Sequence, residues 1–360
     1  MKEPRRIAIF RMGHLGDTVV ALPAFWTVRK RFPNAHIVFF SQEAGKGSLV
    51  QQSEVLRRGT VFDDYLGYPA GEALSKLDIL RTLVRLRRQR IDTVVYIPSI
   101  RTPAQIKRDR VFFRLAGVKR IIGMRGFEGM DYYPKGNPLP LVEPEVDLLL
   151  GYLATDGVRI EDPPETLMHM GLGEDERAEA MRWLETKGID VSRPIVGVGP
   201  GSKMAAKLWP IERFVEVVQA LDAEFSPTFV AFGSGPEREA CERIVTSVGH
   251  GVNAAGELTV RQSAAVFERC DLYVGNDTGT MHLAASAGVR CVALFSARDW
   301  PGRWYPYGKG HAVFRVSVPC EGCMLETCDR GNLCLTSIGA APVADAAKRI
   351  LAASISAKGR

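Results

Sequence analysis

Ile7-Ala8-Ile9-Phe10-Arg11-Met12-Gly13-His14-Leu15-Gly16-Asp17 decides the fold class of this chain. Four consecutive apolar residues form a run too short for a helix, and a loop with two glycines follows. From Thr18 to Phe32 the apolar residues Val19, Leu22, Phe25 and Trp26 recur at helical spacing, and His36-Ile37-Val38-Phe39-Phe40 is a second apolar run. A buried strand, a glycine loop, a helix and another buried strand make a βαβ unit, which implies a parallel sheet.

The same alternation extends outward. Strands are expected at Thr93–Ile97 and Arg120–Gly123, after a basic helix at about residues 75–90. Between residues 131 and 165 the texture changes: Pro134, Pro138, Pro140, Pro144, Pro163 and Pro164 flank a helix expected around Asp147–Asp156. Such a stretch reads as a boundary. Beyond it, strands are expected at Pro194–Gly199, Thr228–Phe232, Leu272–Val274 and Cys291–Phe295. They alternate with helices at Ile211–Phe225, 236–248, 259–269 and 279–287. A last helix, 342–355, can pack on either half. The expected organisation is α/β, in two successive halves at 1–165 and 166–340 with a C-terminal helix at 341–360.

With 46% hydrophobic and 24% charged residues among 360, the composition is that of a globular protein and excludes collagen-like, coiled-coil and mainly disordered chains. Apolar runs are too short for a transmembrane helix. Arg11 interrupts the run at Ile7–Phe10, so no signal-peptide core is expected and the chain is expected to be cytoplasmic. The net charge of +6 hides an asymmetry. Residues 1–160 carry 26 Lys and Arg against 16 Asp and Glu, whereas residues 161–360 carry 21 against 25. Lys76–Arg125 is the densest stretch, with 14 basic and 3 acidic residues. It reads either as a solvated helix face or as a surface for a polyanion.

Three segments carry candidate chemistry. The Gly13-His14-Leu15-Gly16-Asp17 loop opens a helix at the end of a strand, where α/β proteins bind ligands. Neither a G-x-G-x-x-G fingerprint nor a P-loop motif is present. Asp17 fits two roles, a helix cap favoured by the dipole or an exposed general base. Pro200-Gly201-Ser202-Lys203 and Lys207-Leu208-Trp209-Pro210 follow the first strand of the second half, and their lysines, Ser202 and loop amides suit a diphosphate. A surface loop with incidental lysines is the alternative. The third segment is Gly275-Asn276-Asp277-Thr278-Gly279-Thr280-Met281-His282-Leu283-Ala284-Ala285. Its turn presents amides and a hydroxyl at a helix N-terminus, and His282 falls in the first helical turn. The chain contains no Asp-x-Asp, so no carboxylate pair for Mg²⁺ or Mn²⁺ on a nucleotide is evident.

These segments, in this order and spacing, resemble glycosyltransferase family nine, the ADP-heptose:lipopolysaccharide heptosyltransferases. Arg11-x-Gly13-x-x-Gly16-Asp17 is similar to the family's opening motif. Lys207-x-Trp209-Pro210 and Asn276-Asp277-Thr278-Gly279-x-Met281-His282-Leu283 are similar to its donor-site segments. The resemblance implies GT-B architecture, two Rossmann-like domains facing across a cleft, and an inverting, metal-independent transferase that requires no cofactor. Asp17 then matches the catalytic base, with Gly13, His14 and Gly16 in an acceptor-side loop. Lys207 matches the lysine near the donor diphosphate, Asp277 a contact to the donor sugar, and Thr278, Gly279 and Thr280 the phosphate turn. Ser202, Lys203 and His282 share the donor side. Glu237 corresponds to a ribose contact, and Ala255–Thr259 looks like the adenine-side loop. The implied partners are ADP-heptose and an anionic glycolipid acceptor met at the inner leaflet of the inner membrane, with no nucleic acid. Related readings use another nucleotide sugar or an acceptor outside lipopolysaccharide, such as a natural product, a capsule precursor or a protein. A nucleotide-sugar-binding or nucleic-acid-binding protein without transferase activity is the alternative from another class.

Cys241, Cys270 and Cys291 sit among apolar neighbours and read as reduced core residues. Cys320, Cys323, Cys328 and Cys334 lie within fifteen residues and read as a structural zinc or iron cluster, as reduced structural thiols, or as a redox or disulfide set.

Overall fold

The computed structural model describes residues 3–43, 52–69 and 75–358. It forms two compact units, Met1–Tyr132 with Glu145–Gly171, and Tyr133–Pro144 with Leu172–Arg360. The first unit runs β1 (Arg6–Phe10), α1 (Leu15–Val20), α2 (Leu22–Arg31), β2 (His36–Gln42), α3 (Gln52–Val55), β3 (Asp64–Tyr68), α4 (Lys76–Arg88), β4 (Thr93–Tyr96), α5 (Pro103–Leu115), β5 (Arg120–Ile122) and α6 (Glu145–Ala154). The second runs α7 (Glu174–Thr186), β6 (Ile195–Gly199), α8 (Ile211–Phe225), β7 (Thr228–Ala231), α9 (Arg238–Val248), β8 (Val252–Asn253) and α10 (Val260–Phe267). It continues with β9 (Leu272–Asn276), α11 (Gly279–Ser286), β10 (Cys291–Phe295), β11 (Ala312–Arg315), α12 (Leu333–Thr336) and α13 (Ala340–Ala357).

Each unit is built on one parallel sheet. In the first the strand order is β3-β2-β1-β4-β5, with Ile9 beside both Phe39 and Val95. In the second it is β11-β10-β9-β6-β7-β8, with Val198 beside both Ala231 and Val274. The order reverses between β1 and β4, and between β6 and β9. Loops at the carboxyl ends of those strand pairs therefore flank the crevice where doubly wound sheets take ligands. Sidedness explains the continuous apolar runs: central strands have helices on both faces and bury every side chain. Phe10, Phe40, Tyr96 and Phe113 form an aromatic cluster in the first core. Trp209, Phe214, Phe229, Leu272 and Leu294 lie in the second, where α13 packs against α8.

Where the structure departs from the pattern, the cause is local. The single helix expected from Thr18 to Phe32 is two helices separated at Ala21, because Pro23 occupies the first turn of α2 and cannot donate to a preceding carbonyl. Strands β3, β8 and β11 and helices α5 and α7 were not expected. β11 is an edge strand half-buried throughout. No helix among the described residues is long and apolar enough to cross a membrane.

One clamp ties α7 to α10. Arg261 Nη2 donates to Glu176 Oε2 at 2.7 Å, and both side chains are nearly buried. The Arg261 guanidinium holds the Glu176 carboxyl below its ordinary value of 4.5, with burial opposing and the Gly173 amide assisting. A lowered carboxyl stabilises the fold above its unfolded value, and the effect fades as pH falls through the folded value. Glu176→Gln should lower unfolding free energy by about 2 kcal/mol near pH 7, between the surface and fully buried cases. In urea titrations the deficit should shrink as pH falls through the lowered folded value, where the wild-type carboxylate takes up its proton.

Candidate active site

In the first unit, β1 delivers Arg11 and the Gly13–Asp17 turn to the point where the strand order reverses. Arg11 is fully buried: its Nη1 bonds the Ile97 carbonyl at 3.1 Å and Glu145 Oε1 at 3.2 Å, and its Nε bonds the Asp17 carbonyl at 3.2 Å. Glu145, equally buried, also accepts from Tyr132 Oη at 2.8 Å. A buried arginine is tolerable because carboxylate and carbonyls surround it. Its Nη2 stands 4.0 Å from Asp17 Oδ1.

Asp17 therefore lies over a fixed positive charge. Its Oδ2 accepts the His14 amide at 2.8 Å, in the manner of a capping box, while its side chain keeps 22% exposure. Cap and exposed carboxylate coexist in one residue. Gly13 makes this possible, since its φ is +127° and a Cβ there would fall 2.4 Å from Asp17 Cβ. His14 is exposed at the N-cap of α1, and Gly16 is half-buried within that helix.

In the second unit the carboxyl ends of β6 and β9 are tied together by Asn276. Its Oδ1 accepts from the Trp209 amide at 3.2 Å, and its Nδ2 donates to the Pro200 carbonyl at 2.8 Å. Buried Trp209 is anchored in turn by Nε1 on the Ile338 carbonyl at 3.0 Å. This brings the second and third sequence segments together. Lys207 Nζ meets Asp277 Oδ2 at 2.6 Å, with the two side chains 15% and 5% exposed. Next to that pair α11 begins. Thr278 is its N-cap, Gly279 and Thr280 open its first turn, and helix geometry leaves first-turn amides without intrahelical acceptors. His282 is buried with its ring 6.4 Å from that of Trp304.

Other residues of the reading settle nearby. Glu237 accepts from the Ser234 amide at 2.6 Å and from its hydroxyl at 2.7 Å. It also lies against Gly201, where a Cβ would fall 2.4 Å from the carboxyl carbon. The ends of β6 and β7 thus meet at Glu237. The Gly256 amide donates to the Gly233 carbonyl at 3.0 Å, drawing Ala255–Thr259 to the same edge. Ser202 Oγ accepts the Met204 amide at 3.2 Å, half-buried, and Lys203 is exposed beside it.

Four side chains at the candidate site escaped the sequence reading as such: Arg11 as a buried counter-charge, its partner Glu145, Asn276 as a tie, and Asp299 after β10. Burial pushes the Asp299 carboxyl above its ordinary value; the Trp300 amide opposes this, the Asp277 carboxylate adds to it, and Lys207 counters it. A charged residue inside an otherwise apolar strand end, as at Arg11, was the one visible signal.

The structure lends no support to a metal site at the cysteine cluster. All four thiols are free, and among the described residues no group of three or more His, Cys, Asp or Glu is placed to hold a metal ion. Burial pushes the Cys334 thiol up, and Cys328 and Cys320 add to the effect. What the cysteine-bearing loop does contribute is support. The Glu326 carbonyl accepts the Ala206 amide at 2.9 Å, and Asn332 Nδ2 donates to the Ala205 carbonyl at 2.9 Å, so the loop braces the turn that carries Lys207.

The family described as "Glycosyltransferase family 9 (heptosyltransferase)" matches residues 141–333, which include Lys207, Glu237 and Asp277. Lipooligosaccharide heptosyltransferase 2 of Haemophilus ducreyi is 23% identical over 326 residues, covering 86% of this chain and 88% of that protein. Among solved structures, the glycosyl transferase family 9 protein of Veillonella parvula is similar with a TM-score of 0.75 at 22% identity, covering 98% of each chain. E. coli heptosyltransferase WaaC with ADP-2-deoxy-2-fluoro heptose gives a TM-score of 0.62 at 16% identity, covering 94% of this chain and 98% of that one.

Proposed function

The chain belongs to glycosyltransferase family 9 (heptosyltransferase), and from that premise we propose that it moves heptose from ADP-heptose to a hydroxyl of a lipopolysaccharide inner-core acceptor, with inversion and without a metal ion. It is a glycosyltransferase of the GT-B type, with two Rossmann-like parallel-sheet units. The donor assignment is supported by the WaaC relative, whose bound molecule is an ADP-heptose analogue.

The single observation that carries the reading is the Lys207–Asp277 pair at the opening of α11, tied by Asn276 to the end of β6. An ammonium group and first-turn amides together meet the charge that develops on a departing nucleoside diphosphate. With cations and helix amides serving that role, no metal is needed there. Asp277 orients the lysine and, in this reading, turns toward the donor sugar when the diphosphate engages Lys207. Glu237 takes the ribose, and the loop Ala255–Thr259 takes the adenine through its backbone. Ser202, Lys203, Thr278, Gly279, Thr280 and His282 complete the donor side.

Asp17 supplies the base. It removes the acceptor hydroxyl proton as that oxygen forms a bond to the anomeric carbon; the bond from that carbon to the diphosphate oxygen breaks, and ADP leaves. A single displacement of this kind inverts the anomeric centre. The Gly13–Gly16 turn lies on the acceptor side.

Calorimetric titration of the full chain with ADP, UDP and GDP tests the donor half. ADP should bind at least about tenfold more tightly than the other two, equivalent to about 1.4 kcal/mol. Equal binding of all three would remove the adenine assignment, and no binding of any would remove the donor site.

A further inference from the structure

Beyond the donor and acceptor chemistry, we propose that α4 is a docking surface for an anionic lipid bilayer. Of the twelve large apolar side chains exposed among the described residues, six lie on α4 and α5: Leu77, Ile79, Leu80, Val84, Val111 and Leu115. Isolated exposed leucines mean nothing, but these are arranged. With about 100° per residue, Leu77, Leu80 and Val84 form one stripe at i, i+3 and i+7, opposite the buried pair Thr82 and Leu86. Leu77 and Leu80 are more than half exposed. The helix thus presents a second apolar face that the described fold does not cover.

Charge identifies the occupant. Lys76 and Arg87 flank the stripe on one side, Arg81 and Arg88 on the other, and neither Arg87 nor Arg88 makes an ion pair among the described residues. Beside it opens a groove of about 440 Å³ lined by Pro69, Leu80, Arg81, Arg85 and Arg88, with Asp78 engaged by Arg81 at 3.8 Å. The neighbouring α5, in contact with α4, repeats the pattern in its outward Val111 and Leu115 between Arg108 and Arg114. Apolar side chains ringed by arginines match the boundary between acyl chains and anionic headgroups, where the helix lies in the plane of the interface. A protein partner of acidic surface would leave the leucines unmatched, and a nucleic acid would offer them no apolar layer.

Co-sedimentation of the full chain with vesicles tests this independently of transferase activity. The chain should pellet with phosphatidylcholine vesicles containing phosphatidylglycerol and not with phosphatidylcholine alone, and the binding should fall steeply between about 0.05 M and 0.5 M salt. Arg87→Gln with Arg88→Gln should weaken partitioning by about 25-fold, at about fivefold per arginine. Leu77→Ser with Leu80→Ser should weaken it by at least about tenfold, and at low salt as well. Because all four positions are exposed, circular-dichroism melts of both variants should match wild type.

Equal pelleting with neutral and anionic vesicles would overturn the proposal, as would wild-type binding by either variant. So would light scattering that finds a dimer dispersed by the leucine variant, which would assign the stripe to a second copy of the chain. Binding of a single-stranded oligonucleotide that depends on Arg87 and Arg88 and ignores Leu77 and Leu80 would assign it to nucleic acid.

Discussion

Asp17→Asn should lower turnover by about 10²–10⁴-fold, the usual contribution of a general base, and leave ADP affinity unchanged. The substitution separates the two roles that Asp17 combines. As a cap, its Oδ2 accepts the His14 amide at 2.8 Å. The asparagine carbonyl oxygen accepts that bond equally well, so the start of α1 and the Gly13 turn should persist. As a base, the carboxylate must take a proton, which the amide does not do. Asp17→Ala removes both functions and should add a loss of thermal stability that Asp17→Asn lacks. Steady-state kinetics with ADP titration of the same preparations read the two separately. If Asp17→Asn retains most of the turnover, Asp17 is a cap and the base lies elsewhere.

Lys207→Ala should lower kcat/KM by about 10²–10³-fold, the size of effect seen when one oxyanion-stabilising donor is removed. Part of that loss has a second origin. With Lys207 gone, the Asp277 carboxylate, 5% exposed, is left without its ammonium partner at 2.6 Å. An unpaired carboxylate beside the diphosphate repels it, in addition to the desolvation cost the carboxylate then carries. Lys207→Ala combined with Asp277→Asn should therefore recover part of the ADP affinity while turnover stays low. Asp277→Asn alone should bind ADP well and transfer poorly if Asp277 also contacts the sugar. An ADP titration unchanged in Lys207→Ala would take Lys207 out of the donor site.

Most of the fold was legible in the apolar runs. Ile7–Phe10, Ile195–Gly199, Leu272–Asn276 and Cys291–Phe295 are central strands buried on both faces, and a strand of that kind needs no partner to be recognised. Of the edge strands, β5 was legible at Arg120–Gly123, whereas β3, β8 and β11 were not, because their burial depends on neighbours. Asp64–Tyr68 and Ala312–Arg315 are half-covered, and each is broken by a charged residue, Asp64 and Arg315, so neither stands out as a long apolar run. Pro23 was in plain view, yet the helical spacing across it concealed the break at Ala21.

The candidate site divides in the same way. Each loop was legible as a turn after a strand, since glycine and capping residues mark it locally. What joins the loops is not local. Asn276 reaches residues 67 and 76 positions away, and Arg11 reaches Glu145 across 134. Nothing in the spacing of Cys320–Cys334 foretold that their loop braces Ala205 and Ala206. The charge asymmetry is sharpened too. The basic tract Lys76–Arg125 is concentrated on α4 and α5, while Arg101, just ahead of α5, lies against Met12 of the loop that leads to Asp17.

The central claim is heptose transfer from ADP-heptose, and release of nucleoside diphosphate measures it most directly. Purified protein is incubated with ADP-heptose, UDP-glucose or GDP-mannose, with and without a lipopolysaccharide inner-core acceptor. ADP should appear with ADP-heptose only when acceptor is present, in step with acceptor consumed, and should fall to background in Asp17→Asn. Release from UDP-glucose or GDP-mannose in preference to ADP-heptose, or no release from any donor with the acceptor present, would contradict it.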